Sequence, residues 1–184
     1  MPDETSWARF FHADGVIDRL LGSPVIRGDV IEFGCGYGTF TIPVAGRTKG
    51  LVTALDIEPE MIACLRRKAE AHEVFNIRAE VRDFVDHGTG MQDGLQSCVM
   101  IFNLLHLENP GALLREAYRI LRDNGTLSVI HWRSDIPTPR GPSAEIRPTP
   151  EQCRKWMADA GFRMIETVDL RDCCPFHFGL RAER

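Results

Sequence analysis

The sequence predicts an α/β domain: a doubly wound, mostly parallel sheet of about seven strands, with helices on both faces and an antiparallel last strand. Three observations carry this. Short apolar runs alternate with amphipathic segments along the 184 residues, and strands separated by helices need crossover connections, which build parallel sheets covered on both faces. A glycine-rich turn, Gly34-Cys35-Gly36-Tyr37-Gly38, follows the first apolar run, at the end of the sheet where such folds receive ligands. The last two strand-like runs have too short a link for a crossover, so they pair antiparallel.

The elements follow in order. Residues 7–21 bring Trp7, Phe10, Phe11, Val16, Ile17, Leu20 and Leu21 close to the i, i+3, i+4 spacing of one amphipathic helix. Residues 29–33 (DVIEF) read as a buried strand that ends at glycines, and 38–45 open a helix. Residues 51–57 (LVTALDI) form the second strand, and 58–71 a helix with Pro59 in its first turn. The third and fourth strands are 77–81 and 98–103 (CVMIFN). Residues 110–121 form a strongly amphipathic helix, stopped by Asp123-Asn124-Gly125, and 126–132 (TLSVIHW) the fifth strand. Five prolines (Pro137, Pro139, Pro142, Pro148 and Pro150) make 133–150 a long ordered loop over one end of the sheet. A helix over 150–160 ends at Gly161, and strands at 162–170 and 176–182 are joined through Cys173-Cys174-Pro175.

Composition narrows the function. The chain has the length of one domain and the 43% hydrophobic and 26% charged residues of an ordinary globular protein. A net charge of −4 argues against a phosphate-backbone binder, so no nucleic-acid partner is expected. Residues 1–10 lack a basic region followed by an apolar core, so no secretory signal is expected. No run approaches the ~18 apolar residues of a membrane span. Cys35, Cys64, Cys98, Cys153, Cys173 and Cys174 are scattered without metal-like spacing. A soluble, cytoplasmic protein with reduced thiols and no metal is the expectation.

The glycine turn discriminates between ligands. Its glycines let backbone approach a ligand that any Cβ would obstruct. A dinucleotide site takes G-x-G-x-x-G, whereas Thr39 stands here where the third glycine belongs. Glu32 adds a negative charge where a pyrophosphate would lie and suits a ligand carrying an ammonium group. An amino-acid nucleoside fits this turn better than a dinucleotide.

Val30-Ile31-Glu32-Phe33-Gly34-Cys35-Gly36-Tyr37-Gly38 resembles the first motif of the class I (Rossmann-like) S-adenosylmethionine-dependent methyltransferases. Later motifs resemble the same family in the same order, over about residues 29–184. The resemblance implies S-adenosylmethionine as cofactor and S-adenosylhomocysteine as product. It places Glu32, Gly34, Cys35, Gly36 and Gly38 in the cofactor site, and puts Asp56, in Ala54-Leu55-Asp56-Ile57, on the ribose hydroxyls. It puts Asp83 on the adenine amino group with Phe84 packed against the base. Asn103-Leu104-Leu105-His106 would line the methionine end and the substrate pocket, and residues 113–129 resemble the family's helix, turn and fifth strand.

Each motif also has a plain structural reading. Asp56 sits ~20 residues past the glycines, as nucleoside readers require, and is also an N-cap candidate for the helix at Pro59. Asp83 reads equally as a loop acid. Cys35 reads as a small residue in a tight turn, while Cys64 and Cys98 read as core. His106 is the candidate catalytic base and, equally, a wall histidine bonded to backbone. His131, Trp132, Arg133 and Asp135 leave the fifth strand toward the same end. Arg133, Arg140 and Arg147 read as solvated arginines or as an attraction for an anionic substrate. Trp7, Phe10 and Phe11 suit packing or a lid.

The reading is a single methyltransferase domain over 1–184, with an N-terminal helical segment at 1–28 and a cofactor-binding core at 29–184. It transfers a methyl group to a small-molecule acceptor, and so compact a chain is expected to pair as a homodimer. The alternatives are an NAD(P)-dependent oxidoreductase and a non-catalytic S-adenosylmethionine-binding regulator.

Overall fold

The computed structural model describes residues 4–22 and 26–184; part of the expected 1–28 segment therefore lies outside the described residues. The elements are α1 (Glu4–Ala8), α2 (Ala13–Leu21), β1 (Val30–Phe33), α3 (Thr41–Ala45), β2 (Val52–Asp56), α4 (Pro59–Ala71), β3 (Ile77–Val81) and α5 (Phe84–His87). They continue with β4 (Gln96–Phe102), α6 (Pro110–Ile120), β5 (Leu121–Trp132), α7 (Pro150–Asp159), β6 (Arg163–Val168) and β7 (His177–Glu183).

The seven strands form one sheet in the order β3-β2-β1-β4-β5-β7-β6. β1 pairs parallel with both β2 and β4, and β4 pairs parallel with β5. β7 runs antiparallel between β5 and β6, as the short link before it requires. β1, β2 and β4 are buried along their whole lengths, which explains why they read as continuous apolar runs rather than alternations. One apolar layer packs α6 and α7 against the sheet through Leu113, Leu114, Ala117, Cys153 and Met157. The other layer packs α2 and α3 on the opposite face through Val16, Ile17, Leu20 and Val44. The order reverses between β1 and β4, and a crevice opens there beyond the carboxyl ends of the strands.

Four local expectations change. The single helix over 7–21 is two, because His12 caps α2 by accepting from the Gly15 N–H at 3.2 Å while its own N–H donates to the Cys173 carbonyl. That turn carries Phe11 into the core. Asp123-Asn124-Gly125 does not stop α6: Leu121 turns extended directly after Ile120 because it is fully buried and pairs with Gln96. Residues 122–125 form the irregular start of β5, with Asn124 at φ +58°. A short helix, α5, follows β3, with Asp83 as its cap. Cys98 is core, but Cys64 is only half-buried on α4 and donates weakly to Glu4. The loop over 133–149 contains one 3-10 turn at Ala144–Ile146.

Candidate active site

A cavity of about 480 Å³ occupies the crevice. The ends of the five parallel strands contribute to it: Glu32, Gly34, Cys35 and Gly36 from β1 and its turn, Asp56 and Ile57 from β2 and just past it, Phe84 after β3, and Asn103, Leu104 and His106 after β4. Trp132 closes the end of β5, and Arg140, Gly141 and Pro142 approach from the loop.

The glycine turn is built by its neighbours. Gly34 has φ +70°, and a Cβ there would lie 3.0 Å from Leu104 Cδ1, so only glycine lets the loop after β4 pack against the turn. The Gly36 N–H donates to Asp56 Oδ2 at 2.8 Å, and the Glu58 N–H donates to Oδ1 at 3.0 Å. Asp56 thus ties the turn to the start of α4, and each oxygen retains a lone pair for a further donor. Ile57 offers an exposed apolar side chain beside it, and Phe84 packs at a tilt against Phe33, 5.3 Å between ring centroids.

Glu32 is 1% exposed and accepts from the Thr41 hydroxyl at 2.5 Å. Burial lifts its pKa to about 8; the Thr41 bond opposes the rise, and the charge of Asp56 adds to it. Such a carboxyl becomes a favourable anion when a cation enters beside it. Asn103 takes a left-handed backbone, φ +60°, and its N–H donates to the Ile130 carbonyl at 2.7 Å. Its buried Oδ1 has no partner, which marks an acceptor open to a ligand donor in the cavity wall.

Of the residues expected from sequence, Gly38 and Asp83 stand outside the lining. Gly38 (φ +75°) lies against α4, where a Cβ would come within 2.5 Å of Leu65 Cδ1. Asp83 Oδ1 accepts from the Val85 and Asp86 N–H groups at 3.1 Å each, capping α5. Arg133 pairs with Asp135 outside the cavity. Arg147, partly buried, donates to the carbonyls of Arg133, Pro142 and Arg140 and to the Thr138 hydroxyl, so it holds the loop together. Arg140 reaches the cavity. Cys173 and Cys174 are buried free thiols whose pKa values burial raises, and no three-residue metal cluster occurs among the described residues.

Sequence reasoning missed Phe40 and Phe102 in the wall. Together with Trp7 and Trp132 they make part of the cavity wall aromatic: Phe40 meets Phe102 edge-on at 4.8 Å, and Trp7 meets Trp132 at 6.3 Å. Phe102 ends an apolar strand and Phe40 precedes a short helix, so neither position announces a cavity. Thr41 was missed for the same reason: its hydroxyl matters only once Glu32 is buried beside it.

Known proteins bear on this arrangement. The O-methyltransferase cnsE of Penicillium expansum is 28% identical over 178 residues, covering 87% of this chain and 63% of that protein. An uncharacterized 37.1 kDa protein in transposon Tn4556 of Streptomyces fradiae is 32% identical over 138 residues, covering 69% of this chain and 38% of its own length. The chain thus spans less than two thirds of either relative. A solved S-adenosylmethionine-dependent methyltransferase from Aquifex aeolicus shares the fold, with a TM-score of 0.81 at 20% identity over 98% of this chain and 93% of that one. Residues 30–125 match the methyltransferase domain family. That match begins at β1, takes in the glycine turn, Asp56 and the Asn103 turn, and ends within β5. The chain belongs to the methyltransferase domain family.

Proposed function

We propose that this protein is an S-adenosylmethionine-dependent methyltransferase acting on a small molecule. The observation that carries the proposal is the pair of acidic side chains, Glu32 and Asp56, at neighbouring strand ends in a mainly apolar cavity. Glu32 suits the ammonium of the methionine end, and Asp56 has acceptor capacity for ribose hydroxyls. Ile57 and Phe84 suit the faces of a base, and the unpartnered Asn103 Oδ1 suits a donor at the methionine end. When bound, the cofactor supplies a methyl group already activated on a sulfonium. The chain's own work is therefore alignment and exclusion of water. Asp83, used as a helix cap, is the least supported of the proposed cofactor contacts.

The aromatic wall of Trp7, Phe40, Phe102 and Trp132 supports a flat, mainly apolar acceptor. Residues 29–184 serve as the cofactor core and 1–28 as a flanking segment. The free cysteines support a reducing compartment, the cytoplasm, and no helix among the described residues is long and apolar enough to cross a membrane. The test is incubation with methyl-labelled S-adenosylmethionine and a panel of small aromatic hydroxyl, amine and thiol compounds. Label transfer with stoichiometric S-adenosylhomocysteine supports the proposal. Tight cofactor binding with no transfer to any member would favour a non-catalytic binding protein.

A further inference from the structure

His106, on the turn after β4, and His131, near the end of β5, meet edge to face with His106 Nδ1 3.2 Å from His131 Nε2. The other nitrogen of His131, Nδ1, lies 3.2 Å from the Trp132 carbonyl oxygen. A carbonyl only accepts, so the proton of His131 sits on Nδ1. His131 is fully buried, and burial pushes its pKa down to about 4, so the ring is neutral and Nε2 carries a lone pair. His106 Nδ1 must then donate to it, which leaves the lone pair of a neutral His106 on Nε2. No hydrogen bond to that nitrogen forms among the described residues, and His106 lines the cavity.

We propose that His131 is a positioning residue: it holds His106 in the tautomer whose Nε2 lone pair faces the cavity, as a base for an acceptor hydroxyl that must lose its proton. The inference rests on reading the cavity as a methyl-transfer site. In the step, the hydroxyl proton passes to His106 Nε2 while an oxygen lone pair forms the bond to the methyl carbon. The carbon–sulfur bond breaks, and its electron pair stays on sulfur. His106 becomes an imidazolium as the sulfonium charge disappears, then releases the proton to solvent. Its Nδ1–H donates to His131 throughout, so the pair needs no rearrangement.

The groups around the pair keep the second ring from competing for the proton. Arg147 of the loop opposes a positive charge on His131. His177 of β7 is held neutral by burial and also feels Arg147. Glu32 and Asp56 share the cavity from β1 and β2. Burial lowers the pKa of His106 itself, which keeps it a free base at neutral pH.

The test is long-range proton–nitrogen NMR of the full chain with 15N-labelled histidine, with His106 assigned by its loss in His106→Gln. The wild type should carry the His106 proton on Nδ1. His131→Gln retains an acceptor near the position of Nε2 and should keep that tautomer, whereas His131→Phe keeps a ring without nitrogens and should shift the proton to Nε2. A His106 proton on Nε2 in the wild type, or one unmoved in His131→Phe, overturns the inference. If His131→Phe fails to fold, the wild-type spectrum decides alone. Methylation confined to amines or thiols would overturn the hydroxyl assignment. Absence of cofactor binding would overturn the methyl-transfer reading and leave the tautomer result standing.

Discussion

The hydroxyl of Thr41, at the start of α3, donates to Glu32 Oε2 across 2.5 Å, so a helix-opening residue holds a buried carboxyl at the end of β1. The folded-state pKa of Glu32 is about 8, raised above its ordinary 4.5. The folded protein therefore binds more protons than the unfolded chain between those values, and Glu32 makes stability fall as pH rises from about 4.5 to about 8. Glu32→Gln should flatten that slope. Thermal melts of both proteins from pH 5 to pH 9 check this: the variant should gain relative to wild type as pH rises, and parallel curves would contradict it.

The same carboxyl links cofactor binding to protons. An ammonium entering beside Glu32 favours the carboxylate, so at pH 7 binding should release a proton. Affinity should rise from pH 6 toward about 8, where an α-amino group itself begins to deprotonate. Calorimetry of S-adenosylhomocysteine in buffers of different ionisation enthalpy reads the proton directly. Glu32→Gln should abolish the release.

Asp56 serves both the turn and the proposed ribose site. Asp56→Ala strips the Gly36 and Glu58 N–H groups of their acceptor as well as the ligand contact. Cofactor affinity should fall at least about tenfold, the scale of a lost hydrogen bond to a charged group. Unchanged affinity in a folded variant would remove Asp56 from the site.

Gly38 is structural in a different way. Gly38→Ala places a Cβ 2.5 Å from the fully buried Leu65 at φ +75°. The left-handed backbone alone costs about 1–2 kcal/mol for a non-glycine residue, and the contact adds to it. Urea denaturation should show a loss of at least that size, with a smaller loss in a Leu65→Ala background, where the contact is relieved.

Arg147 ties the loop over the cavity to Trp132, with its guanidinium 5.8 Å from that ring. In Arg147→Met the carbonyls of Arg133 and Pro142 lose the guanidinium donor, and that of Arg140 keeps only the Thr138 hydroxyl, so local opening should become at least about tenfold more frequent. Tryptic cleavage after Arg140 should accelerate accordingly while the global melting temperature shifts little. Unchanged cleavage would show that the loop is held by its prolines instead.

The sheet was readable because its central strands are buried on both sides and its helices carry local signals, such as Pro59 in the first turn of α4 and Gly161, at φ +103°, just past α7. The break before α2 was not, since His12 becomes a cap partly through a bond to Cys173 across the fold. Leu121 leaves the helix because of its strand partner, which outweighs the turn signal of Asp123-Asn124-Gly125. Glu32 and Asp56 were legible from their distance to the glycines. The His106–His131 contact joins residues 25 apart through the pairing of β4 with β5, and Thr41, Phe40 and Phe102 acquire their roles only where the start of α3 packs on β1 and β4.

The most direct measurement is calorimetric titration of the purified protein with S-adenosylmethionine, S-adenosylhomocysteine, NAD and NADP. Micromolar binding of the two sulfur nucleosides, with none of the dinucleotides, is the expected result. Binding of a dinucleotide alone would contradict it, because Glu32 beside Gly34 and Gly36 would then be tolerating a pyrophosphate rather than receiving an ammonium.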